Sequence, residues 1–180
     1  MAKKFFVAML ILATFLLIPT ATRAQDSTGN VFVPAERTIS HNFFKAGNSV
    51  DISGTLEKDA FVFGNIVTVD GTIKGDLIGA ANTLKLDGTV EGNVRFAAET
   101  IVINGRVGRN VTVAANTVTL GSNAEVSWEF LAAGALVELD GKVGGNVNVA
   151  TASFTVGNEV NGRIDANVGD GRRVAGIEGP

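Results

Sequence analysis

The sequence predicts an all-β protein, a single-stranded, three-sided β-helix (solenoid) of about seven coils of about 17 residues each. Three observations carry this prediction. The segments VTVDGTIKGDLIGAANT, LKLDGTVEGNVRFAAET and IVINGRVGRNVTVAANT begin at Val67, Leu84 and Ile101 and follow one another at a constant spacing. The apolar residues are mostly β-branched and show no sustained helical spacing. Gly, Asn, Asp and small residues recur between short apolar runs, where a chain wound round a core must turn corners.

The chain begins with Lys3 and Lys4, an apolar run from Phe5 to Ile18, then Pro19 and small residues ending in Thr22-Arg23-Ala24. This is the layout of a secretory signal peptide, with cleavage expected after Ala24. The run falls short of the roughly 20 residues that a spanning helix requires, so a retained anchor is the weaker reading. No second apolar run follows, and no transmembrane span is expected in the mature chain. With no Cys at all, neither a disulfide framework nor a lipid-modified cysteine can form. The expected destination is therefore periplasmic, cell-surface or extracellular. Loss of the leader leaves 12 basic against 18 acidic residues, a net charge of −6, which argues against a nucleic-acid partner.

Residues 25–36 are read as a lead-in, 37–168 as the β-helix and 169–180 as a flexible Gly-rich tail. Within the β-helix, the Asp-Gly or Asn-Gly steps place glycines at Gly54, Gly71, Gly88 and Gly105, followed at the equivalent position by Ser122, Gly141 and Asn158. The step from Ser122 to Gly141 is longer than the others, so that coil carries two extra residues. Aligned on this position, Ile39, Leu56, Ile73, Val90, Val107, Val126, Val143 and Val160 form one apolar column. Phe43, Ala60, Leu77, Val94, Val111, Phe130, Val147 and Ile164 form another. A third wall combines the column from Val50 to Phe154 with the column from Ile52 to Val156, two residues apart and so on one face of a strand. Ala80, Ala97, Ala114, Ala133 and Ala150, beside Gly64, Ala81, Ala98, Ala115 and Gly134, are read as a tight corner that larger side chains would not fit. A lone coil could bury none of this surface; stability has to come from neighbours.

Polar columns also recur. Asn42, Asp59, Asp76, Asn93, Asn110 and Asn146 form one ladder, and Asp70, Asp87, Asn104 and Asp140 another. Such rows could hold calcium. Asn and Asp equally satisfy turn backbones, and the glycine-rich nonapeptide of calcium-binding solenoids is absent, so no metal is expected. The Thr83, Thr100, Thr117 row lacks the paired Thr-x-Thr array of an ice-binding face and fits ordinary strand propensity. His41, the single histidine, has no nucleophile or paired acid near it in the pattern, and no catalytic residue is assigned. Trp128, beside Glu129 in the enlarged coil, is read as a turn variant with a half-buried ring. Gly105-Arg106-Val107-Gly108 is not a phosphate loop, since no helix follows to present its N-terminus. No cofactor is expected.

The recurring unit seen as VTVDGTIKGDL, LKLDGTVEGNV and VELDGKVGGNV resembles the bactofilin family of polymer-forming cytoskeletal proteins, over about residues 37–168. The resemblance implies a right-handed β-helix that joins end to end into filaments without nucleotide and serves as a scaffold for cell-envelope machinery. Most members are cytosolic, whereas this chain opens with an export signal. The expected partners are further copies of itself and cell-envelope components. The ends of a solenoid expose unpaired strand edges and the core itself, which gives Phe43, Phe44, Phe154, Val156, Val160 and Ile164 as candidate self-assembly residues. Two other readings compete. One is a monomeric adhesin or polysaccharide-binding rod. The other is a hexapeptide-type acyltransferase, suggested by apolar residues near positions 84, 90, 96 and 101, but weakened by the length of the repeat, which is one short of three hexapeptides, and by the lone His41.

Overall fold

In a computed structural model the described residues are 29–169 and 172–178; the leader expected at 1–24 lies outside them. Among the described residues the regular elements are all strands. The first turns contain β1 (Val31–Val33), β2 (Thr38–Ile39), β3 (Phe43–Ile52), β4 (Thr55–Leu56), β5 (Ala60–Val69) and β6 (Thr72–Ile73). The middle contains β7 (Leu77–Ala80), β8 (Thr83–Leu86), β9 (Thr89–Val90), β10 (Val94–Ile103), β11 (Arg106–Val107) and β12 (Val111–Leu120). The remainder is β13 (Glu125–Val126), β14 (Phe130–Leu139), β15 (Lys142–Val143), β16 (Val147–Val156), β17 (Arg163–Val168) and β18 (Arg172–Glu178). The long strands stack in the order β1-β3-β5-β7-β10-β12-β14-β16-β17-β18, with β8 beside β7 in the same layer, and the short ones in the order β15-β13-β11-β9-β6-β4-β2. Every pairing but β17–β18 is parallel. The fold is a parallel β-solenoid of about eight turns.

The register follows the repeat. Val94 pairs with Val111 and Ile103 with Leu120, each one repeat on. Val111 pairs with Phe130, a longer step, because the enlarged coil intervenes. The repeat predicts about seven coils beginning at 37, whereas the structure has about eight turns, the first of them opened upstream by β1. Val31 pairs with Val50, a step that exceeds the period and hides this strand in the lead-in. At the other end, residues 172–178, read as part of the tail, form a strand antiparallel to β17. The chain reverses at Gly169, whose φ of 62° is the left-handed conformation that glycine adopts without strain.

The apolar columns point inward as expected. From Leu56 to Val143 the first column is essentially fully buried, as are Ala60 to Val147 in the second, Val50 to Val137 in the third and Ile52 to Leu139 in the fourth. Along β12 the buried positions are Val111, Val113, Ala115, Val118 and Leu120. The step of three between Ala115 and Val118 reverses the alternation, so one long strand supplies two inward faces on either side of a bend. A further inward column, Val62, Gly79, Phe96, Val113, Ala132, Val149 and Ala166, is not evident in the sequence because its members differ so much in size.

The small-residue corner is only partly what the sequence suggests. Gly64 and Gly134 have no room for a Cβ, which would stand 2.7 Å from the Gly47 carbonyl oxygen and 2.1 Å from that of Ala115. Ala97, Ala114, Ala133 and Ala150, by contrast, face solvent. Their column also holds Phe63, which is 50% exposed, so packing does not require alanine there.

Candidate functional site: the two ends of the solenoid

The polar ladders are corner braces. Asp59 Oδ1 accepts the backbone N–H of Asp76 at 2.9 Å, and Asp76 Oδ1 accepts that of Asn93 at 2.8 Å. Asn93 Oδ1 accepts Asn110 N–H at 3.3 Å, Asn110 Oδ1 accepts Glu129 N–H at 3.1 Å, and Asn146 Oδ1 accepts Arg163 N–H at 3.0 Å. Each side chain thus satisfies a backbone donor at the corner of the following coil, where no strand partner is available. In the second ladder Asn104 Nδ2 donates to Asp87 Oδ1 at 2.8 Å, while Lys85 pairs with the other oxygen at 2.6 Å. The Lys85 and Asn104 hydrogen bonds hold the Asp87 carboxyl below its usual range. At Asp76 burial acts in the opposite direction, but hydrogen bonds from Asn93 and Arg95 outweigh it and lower the pKa. Among the described residues no group of three or more His, Asp or Glu side chains could hold a metal ion.

Outside the core, the long sheet carries an aromatic patch near its first turns. The Phe44 and Phe61 rings stack with centroids 4.5 Å apart and planes 5° from parallel; Phe63 and Ile66 are also exposed. Farther along, a groove of about 620 Å³ crosses the outer face between Thr112, Leu131 and Asn148 on one side and Ala114, Ala133 and Ala150 on the other. Trp128 is exposed with the Arg109 guanidinium 5.8 Å from its ring centroid, a cation–π contact. His41 lines an open groove of about 360 Å³ at the β1 end, with Phe32, Ile39 and Phe43.

The two ends are where the core itself is interrupted. At the first end β1, β2 and the opening half of β3 form the terminal layer, with no described strand beyond them. At the second, β17 pairs only with Val147–Thr151 of β16, so the stretch Ser153–Val156 has a neighbour on one side alone. Phe154 there is half-buried and Val156 is 38% exposed. Val160, joined to Val143 by an isolated bridge, is the last member of its column and is buried at 6% exposure.

The six candidate assembly residues are therefore distributed unequally. Phe154, Val156 and Val160 lie together in the open layer of the second end. Ile164 lies on β17, beside which β18 runs. Phe43 is buried in the first end layer, and Phe44, 63% exposed, belongs to the lateral aromatic patch. Phe32, which the sequence places with Val31 and Val33 in a degenerate first coil, is 62% exposed on the edge strand β1. The first end layer and the Ser153–Val156 stretch thus each have a described neighbouring coil on one side only. No family model, curated protein or solved structure matches the chain.

Proposed function

We propose that the protein is an exported structural scaffold, bactofilin-like in kind, whose right-handed, three-sided rods associate end to end into nucleotide-independent filaments or sheets at the cell envelope. The observation that carries this reading is the open layer at Ser153–Val156. Unpaired backbone and core side chains coincide there, and such an edge is a template for another chain. Among the described residues the polar ladders of the surface are engaged with the backbone of neighbouring coils. Non-catalytic assembly is therefore the activity the geometry favours.

The test is negative-stain electron microscopy of the chain from Gln25, across a concentration series and without nucleotide. Filaments that disappear in Phe154→Asp/Val156→Asp, with an unchanged circular dichroism spectrum, support the proposal. Filaments that persist in that folded variant rule out these residues as the joint. One observation favours a second reading, a ligand-binding rod. Flat aromatic surfaces such as the Phe44–Phe61 stack, beside exposed Phe63, suit the apolar face of a sugar ring. Monodisperse rods that bind envelope polysaccharide, and lose it in Phe44→Ala, would establish that reading instead.

A further inference from the structure

The aromatic patch and the groove of about 620 Å³ lie on one face of the long sheet. In the opening half of each long strand two side chains point outward, and the register stacks them in two columns. One runs from Phe44 through Arg95 to Asp165, the other from Ala46 through Ala97 to Asn167. The patch, with Phe44, Phe61 and Phe63, stands on β3 and β5. The groove is centred on β14 and β16, between the Leu131–Asn148 and Ala133–Ala150 rows. In the stacking order β5 and β14 are each two strands from β10, and β3 and β16 each three. A projection and a depression of this one face are therefore equidistant from β10.

A half-turn about an axis lying along β10 in the plane of this face sets each column against itself and exchanges the strands on either side. Phe63 then enters the groove of a second copy at Ala133, and the Phe44–Phe61 stack lies on its Leu131–Asn148 wall. Between these points Ala80 meets Ala114, and Ala97 meets Ala97 at the axis. The same contacts recur with the roles exchanged, the self-complementarity that a closed two-fold dimer requires. The two Arg95 side chains also meet at the axis, each already charge-paired with Asp76 of its own chain. Eight rows at about 4.8 Å and some five residues of strand at about 3.3 Å make a face of roughly 34 by 16 Å. Two such faces bury about 1,100 Å², above the ~1,000 Å² of a specific interface. An exposed apolar surface of this extent marks a place of association.

We propose that two copies of the chain pair side by side and antiparallel through this face, the aromatic patch of each seated in the groove of the other. The pairing is lateral and uses neither end of the solenoid. It goes beyond the scaffold reading and does not depend on it.

The experiment is sedimentation equilibrium of the chain from Gln25 carrying Phe154→Asp/Val156→Asp, so that pairing is read apart from any end-to-end association. A dimer is expected. Phe63→Ser, which removes the projection, and Ala133→Phe, which fills the groove, should each weaken it by about thirtyfold or more, the loss of a central aromatic anchor. Both positions face solvent in the single chain, so the circular dichroism spectrum should not change. The sequence has no Cys, and Ala97→Cys therefore reports the axis by forming a disulfide-linked dimer on oxidation. Ala150→Cys, which faces Ala46 of the second copy, should cross-link only when mixed with Ala46→Cys. A chain that stays monomeric at every concentration and gives no cross-link through Ala97→Cys overturns the pairing, and leaves the end-to-end scaffold to be judged on the filaments of the unaltered chain. A dimer indifferent to Phe63→Ser and Ala133→Phe overturns this face as its seat. A monomer that binds envelope polysaccharide or phosphatidylglycerol vesicles, and loses that binding in Phe63→Ser, also overturns the pairing and gives the patch to that ligand. Should the Phe154→Asp/Val156→Asp background not fold, the cross-link through Ala97→Cys in the otherwise unaltered chain decides.

Discussion

Replacing Gly88 by Ala tests how tightly the coils are stacked. A Cβ on Gly88 would stand 2.1 Å from the carbonyl oxygen of Gly71, one coil away, and 2.6 Å from the carbonyl carbon of Asp70. Both obstacles are backbone, so no side chain can swing aside. The same Gly71 oxygen accepts the Thr89 N–H at 2.9 Å, and opening the gap by the ångström or so that the methyl requires would break that bond. Overpacking of this kind costs about 1–3 kcal/mol, and the lost hydrogen bond adds about 1 kcal/mol. The expected destabilisation is therefore about 2–4 kcal/mol, or a fall in Tm of roughly 5–15 °C at this chain length. Urea unfolding followed by far-UV circular dichroism measures it, with Ala97→Val as control. Ala97 is exposed in the column that accommodates Phe63, so the control should change stability by less than about 0.5 kcal/mol. A Gly→Ala change with free space stabilises by about 0.4–1 kcal/mol through the unfolded chain. A neutral or stabilising Gly88→Ala would thus refute the close approach of the coils at this corner.

Two further outcomes follow from the core and the ladders. Leu86 is fully buried between Val69 and Ile103 in adjacent coils, so Leu86→Ala should cost about 2–5 kcal/mol, measured by the same unfolding assay; a loss below about 1 kcal/mol would contradict the packed column. Asp76 and Asp87 have carboxyl pKa values lowered in the fold, so their stabilisation is fully present above the unfolded value of about 3.9 and is lost as pH falls through the folded values. Thermal unfolding from pH 6 to 2 should show Tm falling below about pH 4, and less steeply in Asp76→Asn/Asp87→Asn; identical slopes would remove these ladders from the acid response.

The core was legible because the repeat and the packing share one period. A residue one repeat on lies directly beside its predecessor, so Leu84, Ile101 and Val118 are at once a sequence column and a physical stack. Legibility fails wherever that identity fails. The column from Val62 to Ala166 passes through Gly79, Phe96 and Ala132, since in it one large ring fills the space that its small neighbour leaves: the ring edge of Phe96 would lie 2.8 Å from a Cβ at Gly79. Volume is conserved across the pair while residue type is not, and a search for like residues misses it. β1 is hidden by its longer step, and β18 by the reversal at Gly169, which exchanges a parallel neighbour one coil back for an antiparallel one across a turn.

The ends were obscure for a further physical reason. Inside the rod each inward position makes an apolar contact on both sides, whereas an end position has a described coil on one side only. Lys45, in register with the buried Val62, and the half-buried Phe154 both depart from the pattern of their columns. Composition averages such residues away, and only their placement in a layer gives them meaning. Lys45 stands in the first end layer and Phe154 in the last, so the residues that interrupt the repeat gather at its two ends, where a periodic pattern has no further copy to be compared with.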